Sequence, residues 1–374
     1  MIKLSHYDYL IVGSGVSGAT MARLLTDEGK TVLVLEKRNE VGGNIRTDIV
    51  DGIPVHTYGP HIFHTHSKEA WDFFCRYADV KPYVNRVLAS YKGRLISMPF
   101  NMHTFKALFG VETPEEAKKV IEEEVRKENI SEPKNLEEQA LSLVGRTIYE
   151  TLIKGYTEKQ WGRSATELPA SIIKRLPLRF EYNDNYFNDA YQGEPQGGYT
   201  PFIENLLSGV EVITGVDFLV DKARYEAMAD KIIYTGRLDE YFDFSLGHLE
   251  WRSLRFEVKK MEVDSFQPTA VVNYTEREVP YTRISEHKKF DESCTNHHST
   301  ILTYEYPDSF EEGKIPYYVV SDARNTALAN AYKEKAKTLG NVYFLGRLAN
   351  YQYYDMDDAI LSAFDLFNSL KTSK

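Results

Sequence analysis

Short apolar runs bordered by glycine recur in distant parts of the chain and predict buried strands of a parallel sheet. The runs lie at residues 7–12, 31–35, 231–235 and 341–345. Because they share one character although they are far apart, they predict one discontinuous domain that is interrupted by insertions and completed late in the chain.

A 3.6-residue periodicity between these runs predicts an inserted helical domain. One helix begins with a capping box at Thr113, followed by Pro114 in the first helical position. A second begins at Asn135, with Glu138 three residues on. A further amphipathic helix is predicted from about Asp357, near the C-terminus. From about residue 254 to 320, short runs rich in Val, Tyr, Thr and Phe predict an antiparallel sheet.

The expected fold class is therefore α/β (α+β multidomain): a Rossmann-like dinucleotide-binding domain with an inserted helical domain and an antiparallel β-sheet domain. The dinucleotide-binding domain is expected over residues 1–85, 205–245 and 325–374. The helical domain is expected over 100–190, with a mobile lid near 156–180, and the sheet domain over 86–99, 191–204 and 246–324.

Composition excludes several functional classes. The 374 residues carry 45 Lys+Arg against 55 Asp+Glu, a net charge of −10 that repels the phosphates of nucleic acid. No segment approaches the roughly 18 apolar residues of a membrane span, and the N-terminus lacks a signal-length apolar core. The two cysteines, Cys75 and Cys294, cannot form a disulfide scaffold or a Cys-based zinc site, so a cytoplasmic protein is expected.

The first predicted strand leads directly into a dinucleotide-binding motif. Residues 13–18 read GSGVSG, which matches G-x-G-x-x-G between a strand and a helix. Glu36 ends the second strand, 18 residues after Gly18, where an acid suits a ribose hydroxyl. The pair Gly42-Gly43 follows shortly, and this order resembles the FAD-binding oxidoreductase superfamily. A flexible loop is the alternative interpretation of that pair.

Four other segments hold candidate chemistry. Residues 58–66 contain His61, His64 and His66. An active-site loop is favoured over packed histidines and over a metal site, because no cysteine is near. Residues 154–162 place a Tyr and a Trp between glycines, either as core packing or as a mobile lid. Arg175 and Arg283 lie among apolar residues and need an anionic partner, either a diphosphate or a carboxylate of the protein.

Taken together, these segments make the chain similar to the bacterial UDP-galactopyranose mutase family, nearly end to end. The motifs that carry the resemblance are residues 13–18 with Glu36 and 42–43, 58–66, 82–87, 154–162 with 167–171, 184–188, 280–284, 315–318, and 346–348 with 353–357. The resemblance implies an isomerase that binds FAD, is active when the flavin is reduced, and interconverts UDP-galactopyranose and UDP-galactofuranose through an adduct of flavin N5 with galactose. Its product would serve cell-wall or surface polysaccharide synthesis.

The resemblance also implies roles for individual residues. The implied catalytic residues are Arg175 and Arg283, which would clamp the diphosphate, with His61 and His64 of the flavin-side loop. The implied substrate-binding residues are Asn85, Tyr156, Trp161, Tyr186, Asn273, Tyr317, Tyr353 and Asp355. The implied cofactor-binding residues are Gly13, Gly15, Gly18, Glu36, Lys37, Gly43, Asn44, Arg347, Met356 and Asp357. No metal is expected, NAD(P)H or another reductant would reduce the flavin, and a homodimer is expected.

Two other functions remain open at this point. An FAD-dependent oxidoreductase of the amine-oxidase type shares the dinucleotide signature but would consume its substrate in a net redox reaction. A non-catalytic flavin or nucleotide-sugar binding protein would bind UDP without turnover.

Overall fold

The computed structural model describes residues 6–173, 178–291, 294 and 298–372. The strands are β1 (Tyr7–Val12), β2 (Val32–Leu35), β3 (Thr47–Val50), β4 (Ile53–His56), β5 (Phe63–Thr65), β6 (Val80–Pro82), β7 (Val87–Tyr91), β8 (Arg94–Met98), β9 (Tyr191–Pro195), β10 (Glu211–Ile213), β11 (Ala229–Tyr234), β12 (Trp251–Met261), β13 (Val271–Tyr274), β14 (Arg283–Glu286), β15 (Thr300–Ser309), β16 (Tyr318–Val319) and β17 (Val342–Phe344). The helices are α1 (Val16–Asp27), α2 (Lys68–Tyr77), α3 (Met102–Phe109), α4 (Pro114–Glu128), α5 (Leu136–Ile148), α6 (Lys154–Trp161), α7 (Thr200–Leu206), α8 (Lys222–Glu226), α9 (Leu238–Tyr241), α10 (Ala323–Ala336) and α11 (Met356–Thr372).

A parallel sheet with the order β10-β2-β1-β11-β17 forms the dinucleotide-binding part. The four strands predicted from the apolar runs are all in it, which confirms that distant segments share one sheet. Its central strands are apolar on both faces because helices cover both faces. On one face, α1, α7 and α11 share a core with Ile11 and Val34. On the other face, α8, α9 and α10 share a core with Leu10 and Leu33.

A second, larger sheet has the order β16-β12-β15-β14-β13-β7-β8. Its pairs are antiparallel except that β13 runs parallel to β7, with Val271 opposite Val87. The sheet is therefore mixed, which corrects the expectation of a purely antiparallel one. The physical reason is that the whole helical segment lies between β8 and β13, so a short hairpin does not fix the direction of β13.

Residues 191–204 were expected in the domain of the large sheet, but they do not join that sheet. β9 pairs with β5 and β6 in a small antiparallel sheet, and α7 buries Phe202, Ile203 and Leu206 in the core that α1 and α2 share. The apolar stripe of α7 is fully buried there, so this part of the segment is a helix of the dinucleotide-binding core.

The helical segment follows the capping signals in the sequence. The Thr113 side chain accepts the Glu116 N–H in a capping box at the start of α4, and the Asn135 side chain accepts the Glu138 N–H at the start of α5. Both predicted helix starts are confirmed. In the part of the chain that the structure describes, no helix combines the length and apolar character needed to cross a bilayer.

Candidate active site

A cleft of about 300 Å³ lies between the dinucleotide-binding part and the large sheet. Its walls come from distant segments: the loop 58–64, residues 186–187, strands β13 to β16, and the segment from Arg347 to Met356. Of the residues predicted from sequence, it brings together His61, His64, Asn85, Tyr186, Asn273, Arg283, Tyr317, Arg347, Tyr353, Asp355 and Met356.

Strand register places a row of polar side chains across the floor of this cleft. Asn273 on β13 is opposite Arg283 on β14, and Arg283 is opposite Glu305 on β15. Residues directly opposite one another project from the same face of a sheet, so the three side chains lie side by side. Glu305 was not predicted from the sequence, because a single Glu in a strand gives no signal of its partner across the sheet.

Arg283 is held between two groups of the protein. Its Nη2 donates to Tyr156 Oη at 2.9 Å, and its Nε lies 3.5 Å from Glu305 Oε1 without a hydrogen bond. Burial acts to lower the pKa of Arg283, but Glu305 and Tyr156 outweigh it and the pKa is raised. Burial raises the pKa of Glu305, and Arg283 partly offsets this effect. Arg283 thus stays charged, and its side chain, which is 24% exposed, lines the cleft.

Helix α6 contributes Tyr156 to this arrangement but directs Trp161 elsewhere. Trp161 packs against the helical core and lines a separate cavity of about 400 Å³ beside Trp251 and Arg252. Five residues along a helix turn through about 500°, so the two side chains point about 140° apart. In this structure Trp161 does not lie in the cleft, which departs from its predicted place beside the sugar.

The two predicted catalytic histidines have different environments. The His61 ring bonds the Gly59 carbonyl through Nδ1 at 2.8 Å, so Nδ1 carries the hydrogen. Burial lowers the pKa of His61 to about 4, and the nearby Arg347 and Arg283 act in the same direction. His61 is therefore neutral at physiological pH and lines the cleft in one tautomer.

His64 is oriented by a carboxylate that the sequence did not point to. Its Nδ1 lies 2.8 Å from Asp189 Oδ2, and its ring stacks on Phe187. Asp189 also contacts the exposed His66. Among the described residues, no group of three or more His, Cys, Asp or Glu side chains is placed to hold a metal ion. With Nδ1 on the carboxylate, His64 can accept or donate a proton through Nε2.

Tyrosines and Arg347 close the end of the cleft next to α11. Arg347 donates to the Tyr317 and Tyr354 carbonyls and lies 4.7 Å from the centre of the Tyr353 ring. Tyr353 stacks on Tyr318, which also lines the cleft. Arg347 therefore joins the residue before β16 to the loop before α11, and its hydrogen bonds go to the protein backbone.

Among the described residues, two amide oxygens in the cleft have no hydrogen-bond donor. Asn85 is 3% exposed, and its Oδ1 lacks a hydrogen-bond donor among the described residues. Asn273 Oδ1 is likewise unpartnered within that part of the chain. Buried acceptors without donors are costly, so a ligand that donates to them recovers that cost.

The glycine loops form the far end of the site and fit a dinucleotide. A Cβ on Gly18 would lie 2.1 Å from the Gly13 carbonyl oxygen, and one on Gly43 would lie 2.9 Å from Gly15 Cα. The two loops therefore touch, and α1 begins after Gly15, whose lack of a side chain leaves the first helical N–H groups open to a pyrophosphate. Glu36 directly follows β2 and is 6% exposed, and its carboxylate accepts a hydrogen bond from the Ser14 N–H. These residues fit FAD.

Other predicted cofactor residues have partners within the protein. Lys37 Nζ lies 2.8 Å from Asp217 on the surface. Asn44 Oδ1 accepts from Arg38, which also donates to the Gly43 carbonyl and lies 4.3 Å from the Tyr58 ring centre. Arg38 thus holds the second glycine loop, a role that sequence reasoning missed. Asp357 lies in the first turn of α11, after Met356.

Arg175 lies outside the described residues, so its predicted place beside Arg283 is untested. Four residues further along, Arg179 is 8% exposed and donates to the Asn185 and Tyr186 carbonyls and to Asn188. It fixes the loop that brings Tyr186 and Phe187 to the cleft. The sequence signal for this role was weak, because its acceptors are mostly backbone carbonyls.

Comparisons with known proteins agree with this arrangement. A family model described as UDP-galactopyranose mutase matches residues 151–353, and a model for an NAD(P)-binding Rossmann-like domain matches residues 11–77. The chain is 40% identical to the dTDP-fucopyranose mutase of Escherichia coli, over 95% of this chain and 96% of that protein. It is also 40% identical to a probable UDP-galactopyranose mutase of Klebsiella pneumoniae, over 96% and 94%.

The fold is similar to that of a solved relative. The crystal structure of a reduced UDP-galactopyranose mutase superposes with a TM-score of 0.79, over 98% of this chain and 94% of that chain, at 14% identity. At this identity the superposition supports the fold alone, and the function follows from the family and the cleft.

Proposed function

Since the chain belongs to the UDP-galactopyranose mutase family, we propose that it catalyses the reversible ring contraction of UDP-galactopyranose to UDP-galactofuranose, with FAD as its cofactor. The observation that carries this proposal is Arg283, a charged side chain that is 24% exposed at the floor of a cleft, beside two amide oxygens that have no donor among the described residues. A diphosphate supplies the acceptors that such an arginine needs, in a protein whose net charge is −10.

The chemistry is divided between cofactor and protein. A bound, reduced flavin would supply the nucleophile for the anomeric carbon, so the chain itself need not provide one. Arg283 holds the diphosphate while its bond to galactose is broken and reformed, and Arg175 is proposed as the second cation of this clamp. The tyrosine hydroxyls of Tyr317 and Tyr353 donate to the same phosphates, and Asp355 faces the sugar.

Asn85 and Asn273 accept hydrogen bonds from the substrate through their unpartnered oxygens, with Tyr156 and Tyr186 completing the nucleotide side. His64, held by Asp189, moves a proton to or from a sugar hydroxyl through Nε2, as ring opening and closure require. Neutral His61 shapes the flavin side of the cleft without adding charge. Trp161 reaches the sugar only if α6 or the residues after it move.

The relative of equal identity raises a second candidate substrate, dTDP-fucopyranose. Both substrates contain a diphosphate and a sugar of galactose configuration, so Arg283 and the clamp serve either. They differ at the hydroxyl on sugar carbon 6, at the ribose 2′-hydroxyl and at the base methyl. A site that hydrogen-bonds one of those hydroxyls lowers kcat/KM for the analogue that lacks it by about 10⁴-fold. An apolar pocket at the same position separates the two substrates by only about 10²-fold.

The test is to incubate the purified FAD-loaded protein with UDP-galactofuranose or with the furanose form of dTDP-fucose, with and without dithionite, and to separate the isomers by liquid chromatography. Conversion that requires reduction and consumes no reductant supports a mutase, and the faster substrate identifies the nucleotide sugar. An oxidised product formed with stoichiometric flavin reduction would instead support the amine-oxidase type of oxidoreductase. Binding of UDP without turnover of either sugar would support a binding protein.

Partners beyond the substrate are part of the same proposal. NAD(P)H or another reductant is proposed to reduce the flavin. A cytoplasmic location is also proposed, because both cysteines of the chain are free thiols, as is usual in that compartment. A homodimer is proposed, and sedimentation of the flavin-loaded protein tests it.

A further inference from the structure

One lysine of α6 binds the hairpin that carries two of the cleft side chains. The hairpin joins β13 to β14, and its two ends hold Asn273 and Arg283. Lys159 Nζ donates to the carbonyls of Tyr274 at 2.7 Å, Val279 at 2.9 Å and Tyr281 at 2.9 Å.

These three acceptors use all the donors that an ammonium group has. They are also spread along the hairpin: Tyr274 follows Asn273 directly, and Tyr281 lies two residues before Arg283. Lys159 therefore fixes both ends of the hairpin to one point on the helix.

The same helix also contacts Arg283 directly. Tyr156 lies three residues before Lys159, on the same helical face, and its hydroxyl accepts from Arg283. A shift of α6 against the hairpin would break this hydrogen bond and the lysine contacts together.

We propose that Lys159 is a positioning residue that sets Arg283 and Asn273 for the nucleoside diphosphate of the substrate. This inference rests on the proposed function, because it assigns Arg283 to the diphosphate.

The chemistry of the contact argues for a role beyond holding the fold. Burial lowers the pKa of Lys159 to about 8, while Glu276 and Glu278 of the hairpin act to raise it. The neighbouring Arg277 is paired with Glu158. Since this pKa is below the ordinary 10.5, holding the ammonium in the folded state costs stability below about pH 8, and the cost fades as pH rises towards 10.5. Burial therefore favours the neutral side chain, whereas the three carbonyl contacts favour the charged one.

The neutral amine keeps two N–H donors and one lone pair, so one carbonyl loses its partner. Affinity for the nucleoside diphosphate should accordingly fall as pH rises through about 8. Arginine at this position stays charged throughout that range and should remove the pH dependence.

The experiment compares Lys159→Met and Lys159→Arg with the wild type and with Lys333→Met as a matched control. Lys333 is another lysine whose pKa burial lowers, and it lies on α10 outside the cleft. The flavin-loaded proteins are titrated with UDP and with dTDP by calorimetry from pH 6.5 to 9, and flavin content, kcat and KM are measured alongside.

We expect Lys159→Met to weaken diphosphate binding about tenfold or more with flavin content unchanged, because charged hydrogen bonds that set Arg283 are lost. Lys159→Arg should bind without the decline near pH 8, and Lys333→Met should match the wild type. Wild-type affinity in Lys159→Met, or an unchanged decline in Lys159→Arg, overturns the inference. A wild type that binds neither UDP nor dTDP refutes the proposed function, and the inference with it.

Discussion

Arg283 and Glu305 offer a way to separate two roles of one arginine. The guanidinium Nε is 3.5 Å from the Glu305 carboxylate, which is 2% exposed. Replacing Arg283 by Met leaves that carboxylate buried without its cation. Removing one partner of a buried pair costs about 3–5 kcal/mol, so the free energy of unfolding of Arg283→Met should fall by that amount.

The double variant Arg283→Met/Glu305→Gln distinguishes pairing from substrate binding. Its neutral amide needs no cation, so most of the lost stability should return. Affinity for UDP should not return, because the diphosphate has still lost its arginine. Loss of a buried charged hydrogen bond costs about 2–4 kcal/mol, which corresponds to roughly 30-fold to 1,000-fold weaker binding in both variants.

The pH dependence of Arg283→Met has a definite sign. Burial already raises the pKa of Glu305 above its ordinary 4.5, and losing Arg283 removes the effect that lowers it. The folded variant then holds a proton that the unfolded chain releases, so stability falls as pH rises through the window above 4.5. The defect should be smaller at pH 5 than at pH 8.

The assay is denaturant unfolding at both pH values, with flavin content recorded, and UDP titration by calorimetry on the same preparations. Recovery of UDP affinity in the double variant would mean that Arg283 serves only to neutralise Glu305. An unfolding defect that persists in full in the double variant would contradict the pairing argument.

Two further substitutions test other parts of the site. Asp189→Asn removes the carboxylate that orients His64, so kcat should fall about tenfold or more. His66→Gln, at an exposed contact of the same carboxylate, should leave kcat unchanged. Gly43→Ala would place a Cβ 2.9 Å from a backbone atom in the other glycine loop, so the purified protein should lose flavin absorbance at 450 nm. The control Gly340→Ala, whose Cβ meets no atom within 4 Å, should keep that absorbance.

Local signals were sufficient for the elements that depend on neighbouring residues. The strands around Gly13 and Glu36, and the helix starts at Thr113 and Asn135, follow from short-range rules of burial and capping. The cleft residues named from the resemblance largely converge, because the family's motifs carry long-range information that a single pattern lacks.

Relations set by sheet register could not be predicted in the same way. Glu305 meets Arg283 only through the pairing of β14 with β15, and neither strand records its register in its own pattern. The parallel pairing of β13 with β7 and the place of β9 likewise depend on where a long insertion returns the chain. The place of Trp161 outside the cleft depends on the rotation of α6, which packing decides and which no local pattern records.

The charge arrangement at the cleft implies that diphosphate binding takes up a proton. Glu305 is buried beside Arg283, and burial has already raised its pKa. A diphosphate bound to Arg283 brings more negative charge close to Glu305 and disfavours its ionised form further. By linkage, UDP binding in the pH range above 4.5 should then take up more protons in the wild type than in Glu305→Gln. Any protonation of UDP itself is common to both proteins and cancels in this comparison. Calorimetry in two buffers of different ionisation enthalpy measures the difference, and equal proton numbers in the two proteins would show that Glu305 stays ionised and acts only as a fixed partner of Arg283.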